Sequence, residues 1–295
     1  MQPTHILGTT MRHPSKQSGL GLVEIMIGVA LGLVLLLALY SLLVSNKQTY
    51  SSVQTSSELV KNSQQITQLI TTLIQQAGFR NYERVKESQL LPTESTALVG
   101  INVSWQEKQA VFISDDVTNS DTTEAKAGTD VLQIHFVGSR NVDSISASVI
   151  KDMPSDAAPA LNDADGTIID CQGNAIADSS IALALYVSTD NKLMCIDSIN
   201  NAAIAVADDV ENLQIRAKAQ SGSSAYQLPS SITDWTTISN LEIGFLLSKP
   251  YDNSLPVTTT TYHLPGKDIT ITSSDEQKIR QVFTSNVMIK NYLSQ

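Results

Sequence analysis

Glu24 is a candidate for a chemical role, because it is the one charged residue between positions 20 and 44 of the chain. A carboxylate in an apolar segment is costly unless it meets water, a lipid headgroup or a cationic partner. Acids inside such segments are therefore candidates for function. We expect Glu24 to pair with a positive charge and to set a packing register rather than to act as a catalyst.

An acidic stretch in the middle of the chain resembles half of a calcium-binding loop. Asp163, Asp165 and Gly166 have the spacing of the first half of such a loop. A full loop needs a Glu six residues after its glycine, and Gln172 stands at that position. The pattern therefore favours an ordinary Asp/Gly turn over a calcium site, and we predict no metal.

Histidines and catalytic motifs give little support for an enzyme. His5 and His13 precede the apolar segment, whereas His135 and His263 lie far apart after it. The alternation around His135 places it on the polar side of a strand, so we expect a surface histidine. No GxSxG or HExxH motif occurs. An exported hydrolase would need an acid, a base and a nucleophile that meet only in the folded protein. We predict no catalytic activity and no cofactor.

The apolar segment itself predicts a membrane-spanning helix over residues 20–44. Twenty-five helical residues reach about 37 Å, which is enough to cross a hydrocarbon core of about 30 Å. Arg12, His13 and Lys16 precede the segment, and Lys47 follows it. Because positive charge favours the cytoplasmic side, residues 1–19 are expected inside and the rest outside.

The residues around the start of this segment resemble the N-terminal signal of type IV prepilins. Gly19 is followed by the apolar Leu20, by Glu24 at the fifth position, and by an apolar helix. The resemblance implies that prepilin peptidase cleaves after Gly19 and methylates the new amino group of Leu20. Residues 1–19 would then be the leader, and a start at Met11 would give the short leader typical of the family.

Cleavage would place a positive charge close to the lone carboxylate. The ammonium of Leu20 lies one helical turn from Glu24, and in a staggered bundle Glu24 can neutralise the amine of a neighbouring subunit. Pairing removes much of the cost of a buried charge. Gly28 and Gly32 have the small-xxx-small spacing that lets helices approach closely.

The exported location bears on the two cysteines and on the charge of the chain. Cys171 and Cys195 would lie in an oxidising compartment, so we expect a disulfide that closes a loop of about 25 residues and stabilises the fold by about 3 kcal/mol. The formal net charge of −10, without any run of Lys or Arg, argues against direct nucleic-acid binding.

Periodicity after the membrane segment predicts an α+β fold. Residues 45–78 have the spacing of an amphipathic helix that ends at Gly78. Residues 79–295 form the predicted β-rich periplasmic head, with two polar loops at 114–128 and 151–180. The predicted strands are 101–105, 110–113, 130–136, 142–150, 181–188, 192–196, 210–219, 241–247 and 279–291.

The order of several short segments narrows the resemblance to the PilW minor pilins. These segments are AGFRN at 77–81, TDVLQIHF at 129–136, DCQG at 170–173, a second cysteine after a Leu-Met pair, VENLQIRA at 210–217, DWTTISNLEIGFLLS at 234–248 and RQVFTSNVMIKN at 280–291. The resemblance implies a subunit that initiates or caps a type IV pilus and moves from the inner membrane to the pilus tip. The implied partners are prepilin peptidase, other minor pilins, the major pilin and a large adhesin-like tip protein.

Two alternatives stay open at this point. A type II secretion pseudopilin of the J class shares the N-terminal signal and is expected to share the fold. A signal-anchored periplasmic binding domain predicts no processing after Gly19. The resemblance does not choose between cell adhesion, twitching motility and DNA uptake.

Overall fold

The computed structural model describes residues 21–80, 91, 93–122, 124–139, 164, 166–177, 179–220, 225–251, 258–272 and 278–291. The chain divides into two compact units, residues 1–51 and 52–295. One α-helix, α1 at Leu22–Gln76, precedes the strands in this described part. The predicted α+β class is confirmed.

The second unit begins with the last part of α1, which buries one face of the helix. Its buried residues recur at helical spacing: Leu59, Ser63, Ile66, Ile70, Leu73, Ile74 and Gln76. Leu, Ile and Gln suit a helix whose apolar stripe faces a core. The predicted amphipathic stripe is therefore confirmed.

Gly78 and a distant side chain terminate α1. Gly78 has φ of +75°, a left-handed conformation that favours glycine after a helix. The amide of Asn291 donates to the carbonyl oxygen of Gln75 at 2.9 Å and so satisfies a group that the helix end leaves open. Asn291, more than 200 residues further along the chain, thus caps the C-terminal end of α1.

Twelve strands follow in the described residues. They are β1 (Ser95–Leu98), β2 (Ile101–Ser104), β3 (Val111–Ser114), β4 (Val131–Val137), β5 (Ser180–Val187), β6 (Leu193–Asp197), β7 (Ile204–Ala207), β8 (Val210–Ala219), β9 (Ile238–Pro250), β10 (Thr259–Leu264), β11 (Lys267–Thr272) and β12 (Lys278–Met288). β1, β7, β10 and β11 were not predicted from the sequence. The predicted strand at 142–150 lies outside the described residues.

The strands form two antiparallel sheets and two hairpins. One sheet has the order β3-β4-β5-β6-β7 and the other has the order β12-β9-β8. β1 pairs with β2, and β10 pairs with β11. The second half of α1 packs with both sheets in the main core.

The five-stranded sheet is covered on both faces, which corrects the prediction for His135. Leu132, Ile134 and Phe136 face the main core. The other face meets the β1–β2 hairpin in a second apolar cluster, which includes Leu98, Val103 and Trp105 of the hairpin region and Ala182, Ala184 and Tyr186 of β5. His135 is 0% exposed because this hairpin covers the face that alternation marks as polar.

Asp130 joins the two sheets next to the start of β4. Its carboxylate accepts hydrogen bonds from the backbone N–H groups of Asp116, at 2.9 Å, and Ile215 of β8, at 2.7 Å. Burial raises the pKa of Asp130 to about 7, and the charges of Asp115 and Asp116 add to this effect although the two N–H groups oppose it. A buried carboxylate is thus part of the contact between the sheets.

The β10–β11 hairpin is held over the second sheet at a position that only glycine fits. Gly244 lies in the centre of β9, and a methyl group added there would overlap the ring of Pro265 in the hairpin turn. Leu264, beside this proline, is buried. The missing side chain of Gly244 thus makes room for the turn.

Candidate assembly site

The first unit presents an apolar helical surface. Leu22 is 75% exposed and Leu37 is 68% exposed, and every large apolar residue between positions 22 and 44 has more than a third of its surface exposed. By length and composition α1 can cross a membrane. Such a surface is stable only in lipid or against other apolar helices.

Glu24 lies in the first turn of α1. Its backbone N–H donates to the carbonyl oxygen of Gly21 at 2.8 Å, so the residue is within the helix and its side chain points outward. Among the described residues, no cationic group forms an ion pair with this carboxylate. A negative charge near a helix N-terminus is favourable, and a positive group brought there from outside would gain a partner. Gly19 and Leu20 lie outside the described residues, so cleavage and methylation stay predictions.

Gly28 and Gly32 follow one helical turn apart on the same exposed helix. A methyl group at either position would meet nothing within 4 Å in this chain. Neither glycine is therefore required by contacts within the described chain. Their role in close helix approach stays a prediction.

The predicted disulfide is confirmed. Cys171 and Cys195 are bonded, with their Cα atoms 5.6 Å apart and a sequence separation of 24. Cys195 is buried in β6, whereas Cys171 packs at the border of the main core. The bond ties the segment before β5 to β6 of the five-stranded sheet.

Polar groups beside the disulfide fix the same loop. The carboxylate of Asp170 accepts from the backbone N–H of Asn174 at 2.7 Å and from its side-chain amide at 3.0 Å. Asp197 accepts from the backbone N–H of Asn200 at 2.7 Å, and the Asn200 amide contacts both carboxylates. The side-chain oxygen of Gln76 accepts from the N–H of Ile169 at 2.6 Å, which attaches the loop to α1.

Carboxylates also meet at one place outside this loop. Oxygen atoms of Asp115, Asp116 and Asp130 lie within 4.8 Å of one another. The ammonium of Lys267 already contacts Asp116 and the carbonyl oxygen of Gly128, so a cation of the chain itself lies beside the cluster. Asp163 and Asp165, the residues of the incomplete calcium pattern, lie outside the described residues.

The fold brings together an acid, a base and a hydroxyl that the sequence did not connect. Glu94 Oε1 lies 2.8 Å from His135 Nε2 and 2.7 Å from Ser180 Oγ, and Nε2 lies 2.9 Å from the same Oγ. In a catalytic triad the acid and the nucleophile bind opposite ring nitrogens. Here both meet Nε2, the ring is buried, and Ser180 donates to the carboxylate. This arrangement fixes structure and does not activate Ser180.

Two family models match this chain, one in the apolar N-terminal segment and one in the β-rich part. A family model described as PilW, type IV pilus-assembly protein W, matches residues 177–291. The prokaryotic N-terminal methylation motif matches residues 14–40. The chain is therefore similar to type IV pilus-assembly protein W over residues 177–291 and carries the N-terminal methylation motif. The resemblance predicted from the sequence is thus confirmed, and the first match includes Cys195 and the second includes Gly19, Leu20 and Glu24.

No curated protein matches this chain. Among solved structures, a type IV-like pilin from Thermus thermophilus matches with 12% sequence identity and a TM-score of 0.41, over 80% of this chain and 100% of that chain.

Proposed function

We propose that this chain is a minor pilin that initiates or caps a type IV pilus after its leader is removed. One observation carries the proposal. Glu24 is a carboxylate without a cationic partner among the described residues, and it lies in the first turn of an exposed apolar helix within the matched methylation motif. The PilW description of residues 177–291 as a pilus-assembly protein supports the same role.

Assembly then follows from charge and apolar area. Before assembly the apolar helix resides in the inner membrane, with the β-rich unit in the periplasm. Cleavage after Gly19 creates the ammonium of Leu20, and N-methylation keeps this group charged. Glu24 of one subunit pairs with the amine of a neighbour as the helices leave the lipid for a bundle. An unpaired charge in that bundle is strongly unfavourable, so the pair selects one axial register.

Each surface of the proposed pilin contacts a different set of partners. Other minor pilins and the major pilin contact the apolar helix, including Gly28 and Gly32, where small side chains permit close approach. Prepilin peptidase acts on the bond between Gly19 and Leu20. A large adhesin-like protein at the pilus tip contacts the β-rich unit, which the disulfide keeps folded in the periplasm.

Mass spectrometry of the chain purified from its native membrane tests the proposal most directly. We expect a mature N-terminus at Leu20 with one methyl group on its amine. A Gly19→Ala variant is the matched control and should retain the leader. A native chain that still carries residues before Leu20 would contradict the proposal and favour a signal-anchored binding domain.

A deletion strain separates the pilus role from the related secretion role. We expect fewer surface pili in the deletion strain and normal release of exported enzymes. Reduced enzyme release with normal pilus numbers would instead identify a J-class secretion pseudopilin.

A further inference from the structure

The group formed by the buried His135 and the half-buried Glu94 and Ser180 has no part in the proposed assembly chemistry. It lies where the segment before β1 meets β4 and β5 of the five-stranded sheet. Sequence separations of 41 and 86 residues connect Glu94 to its two partners. Since Glu94 directly precedes β1, these bonds attach one end of the β1–β2 hairpin to the sheet.

Hydrogen bonding within the group defines its charge state. Ser180 donates to the carboxylate of Glu94, and His135 donates to the same oxygen through Nε2–H. His135 Nδ1 is buried and has no hydrogen bond of good geometry within the described residues. The imidazole therefore fits as a neutral ring with a bare Nδ1. A second proton, on Nδ1, would meet the backbone of Gln109, which makes no hydrogen bond of good geometry with that nitrogen, so the added charge stays buried and poorly paired.

The surroundings of His135 also favour its neutral form. Burial lowers the pKa of His135 below its usual range, whereas the Glu94 charge and the backbone of Gln109 oppose the shift without cancelling it. Glu94 is the charged group that faces the ring. The other groups against it, in the described residues, are the Ser180 hydroxyl, the backbone of Gln109 and the ring of Trp105, whose centroid lies 4.8 Å away.

We propose that Glu94, His135 and Ser180 form an acid-sensitive latch, and that protonation of His135 loosens the adjoining end of the β1–β2 hairpin. Leu98 and Val103 stay packed on the sheet, so the expected change is local and begins at residues 94–96. A histidine whose pKa is lowered in the folded chain stabilises the fold at pH values above the ordinary histidine pKa of about 6.5. The latch therefore holds at neutral pH and weakens as the pH falls below about 6.5. The hairpin thus becomes a surface that responds to acid surroundings.

Trp105 provides a direct signal for the latch. The chain has two tryptophans, so a Trp235→Phe variant leaves Trp105 as the emitter. With the full mature chain in detergent, we expect Trp105 emission to fall between pH 7.5 and 5, because an adjacent imidazolium quenches an indole. The midpoint should lie below 6.5, and Glu94→Gln should lower it further because the ring loses its anion. His135→Gln should abolish the transition, whereas His263→Gln should leave it unchanged.

Hydrogen exchange then tests whether titration moves the hairpin. After correction for intrinsic rates, amides of residues 94–98 should exchange at least about threefold faster at pH 5.5 than at pH 7.5, and those of β8 and β9 should not. Flat Trp105 emission overturns the proposal, as does a transition that persists in His135→Gln or unchanged hairpin exchange. If His135→Gln does not fold, Ser180→Ala replaces it: a shifted midpoint supports the latch, and an unchanged midpoint overturns it.

Discussion

At the scale of single residues, Glu24 and Asp130 are carboxylates in apolar or buried surroundings, where an unpaired charge is costly. Glu24 lies on an exposed apolar helix and lacks a cationic partner among the described residues. Asp130 is 1% exposed and is satisfied by backbone N–H groups from two elements. We propose that the first carboxylate pairs with a group of another molecule, whereas the second has its partners within the fold.

Removing the charge of Glu24 should impair assembly but not insertion. We expect Glu24→Gln to be inserted and cleaved normally and to be recovered in sheared pili at a level at least several-fold below wild type, because the neighbouring amine would be left unpaired. Glu24→Asp retains the charge and serves as the control. Immunoblots of membrane and pilus fractions measure both variants, and equal recovery of Glu24→Gln in pili would contradict the pairing.

Asp130 should make the head less stable as the pH rises. Its pKa is raised from 3.8 to about 7 in the fold, so its contribution is fully present below about pH 4 and is lost as the pH rises through about 7. The full effect is on the order of 4 kcal/mol by linkage. Asp130→Asn cannot titrate, although its amide pairs less well with two N–H groups.

The difference between wild type and Asp130→Asn isolates this carboxyl group. Urea unfolding of the full chain in detergent, followed by tryptophan emission, should show wild type losing more stability than the variant between pH 4.5 and 8. Parallel pH dependences of the two proteins would show that Asp130 stays ionised throughout.

At the scale of elements, two loops are attached to the sheets by different means. The loop before β5 is tied covalently to β6 by Cys171 and Cys195. The β10–β11 turn is attached by the close packing of Pro265 against Gly244 and by the contact of Lys267 with Asp116. Each attachment predicts a distinct response to mutation.

Loss of the disulfide should loosen the loop before β5. We expect a Cys171→Ala, Cys195→Ala double variant to lose about 3 kcal/mol of unfolding free energy, because the unfolded chain regains the entropy of a loop of about 25 residues. Limited proteolysis should cut this segment faster. Wild type treated with a reducing agent is the control and should show the same new fragments. If the double variant gives the same digestion pattern as untreated wild type, the disulfide does not stabilise this segment.

A side chain at Gly244 should displace the hairpin turn. Gly244→Ala is expected to cost about 1–3 kcal/mol, because the methyl group overlaps the Pro265 ring and the central strand cannot move freely. Pro265→Ala in the same chain should restore part of the loss, since it removes the overlapping atoms. A double variant that is no more stable than Gly244→Ala would show that the turn is not the source of the effect. Thermal unfolding measures all four chains of this cycle.

At the scale of the whole molecule, the apolar helix, its amphipathic continuation and most of the long strands could be predicted from the sequence. These features depend on residues that are near one another in the chain, so hydrophobic spacing predicts them. The short β1 and β7 strands and the threonine-rich β10–β11 hairpin gave weak signals because they have few apolar residues or little length. The pairing of Cys171 with Cys195 was predictable because the chain has two cysteines and an exported location.

Which polar residues are buried depends on how the elements pack in three dimensions. Alternation placed His135 opposite the apolar face of β4, but it gave no sign that a hairpin 30 residues earlier covers that side. Asp130 and Ile215 are 85 positions apart, and Glu94 and Ser180 are 86 apart. Burial and hydrogen bonding at such distances depend on how sheets and hairpins pack, and a local pattern of residues carries no information about that packing.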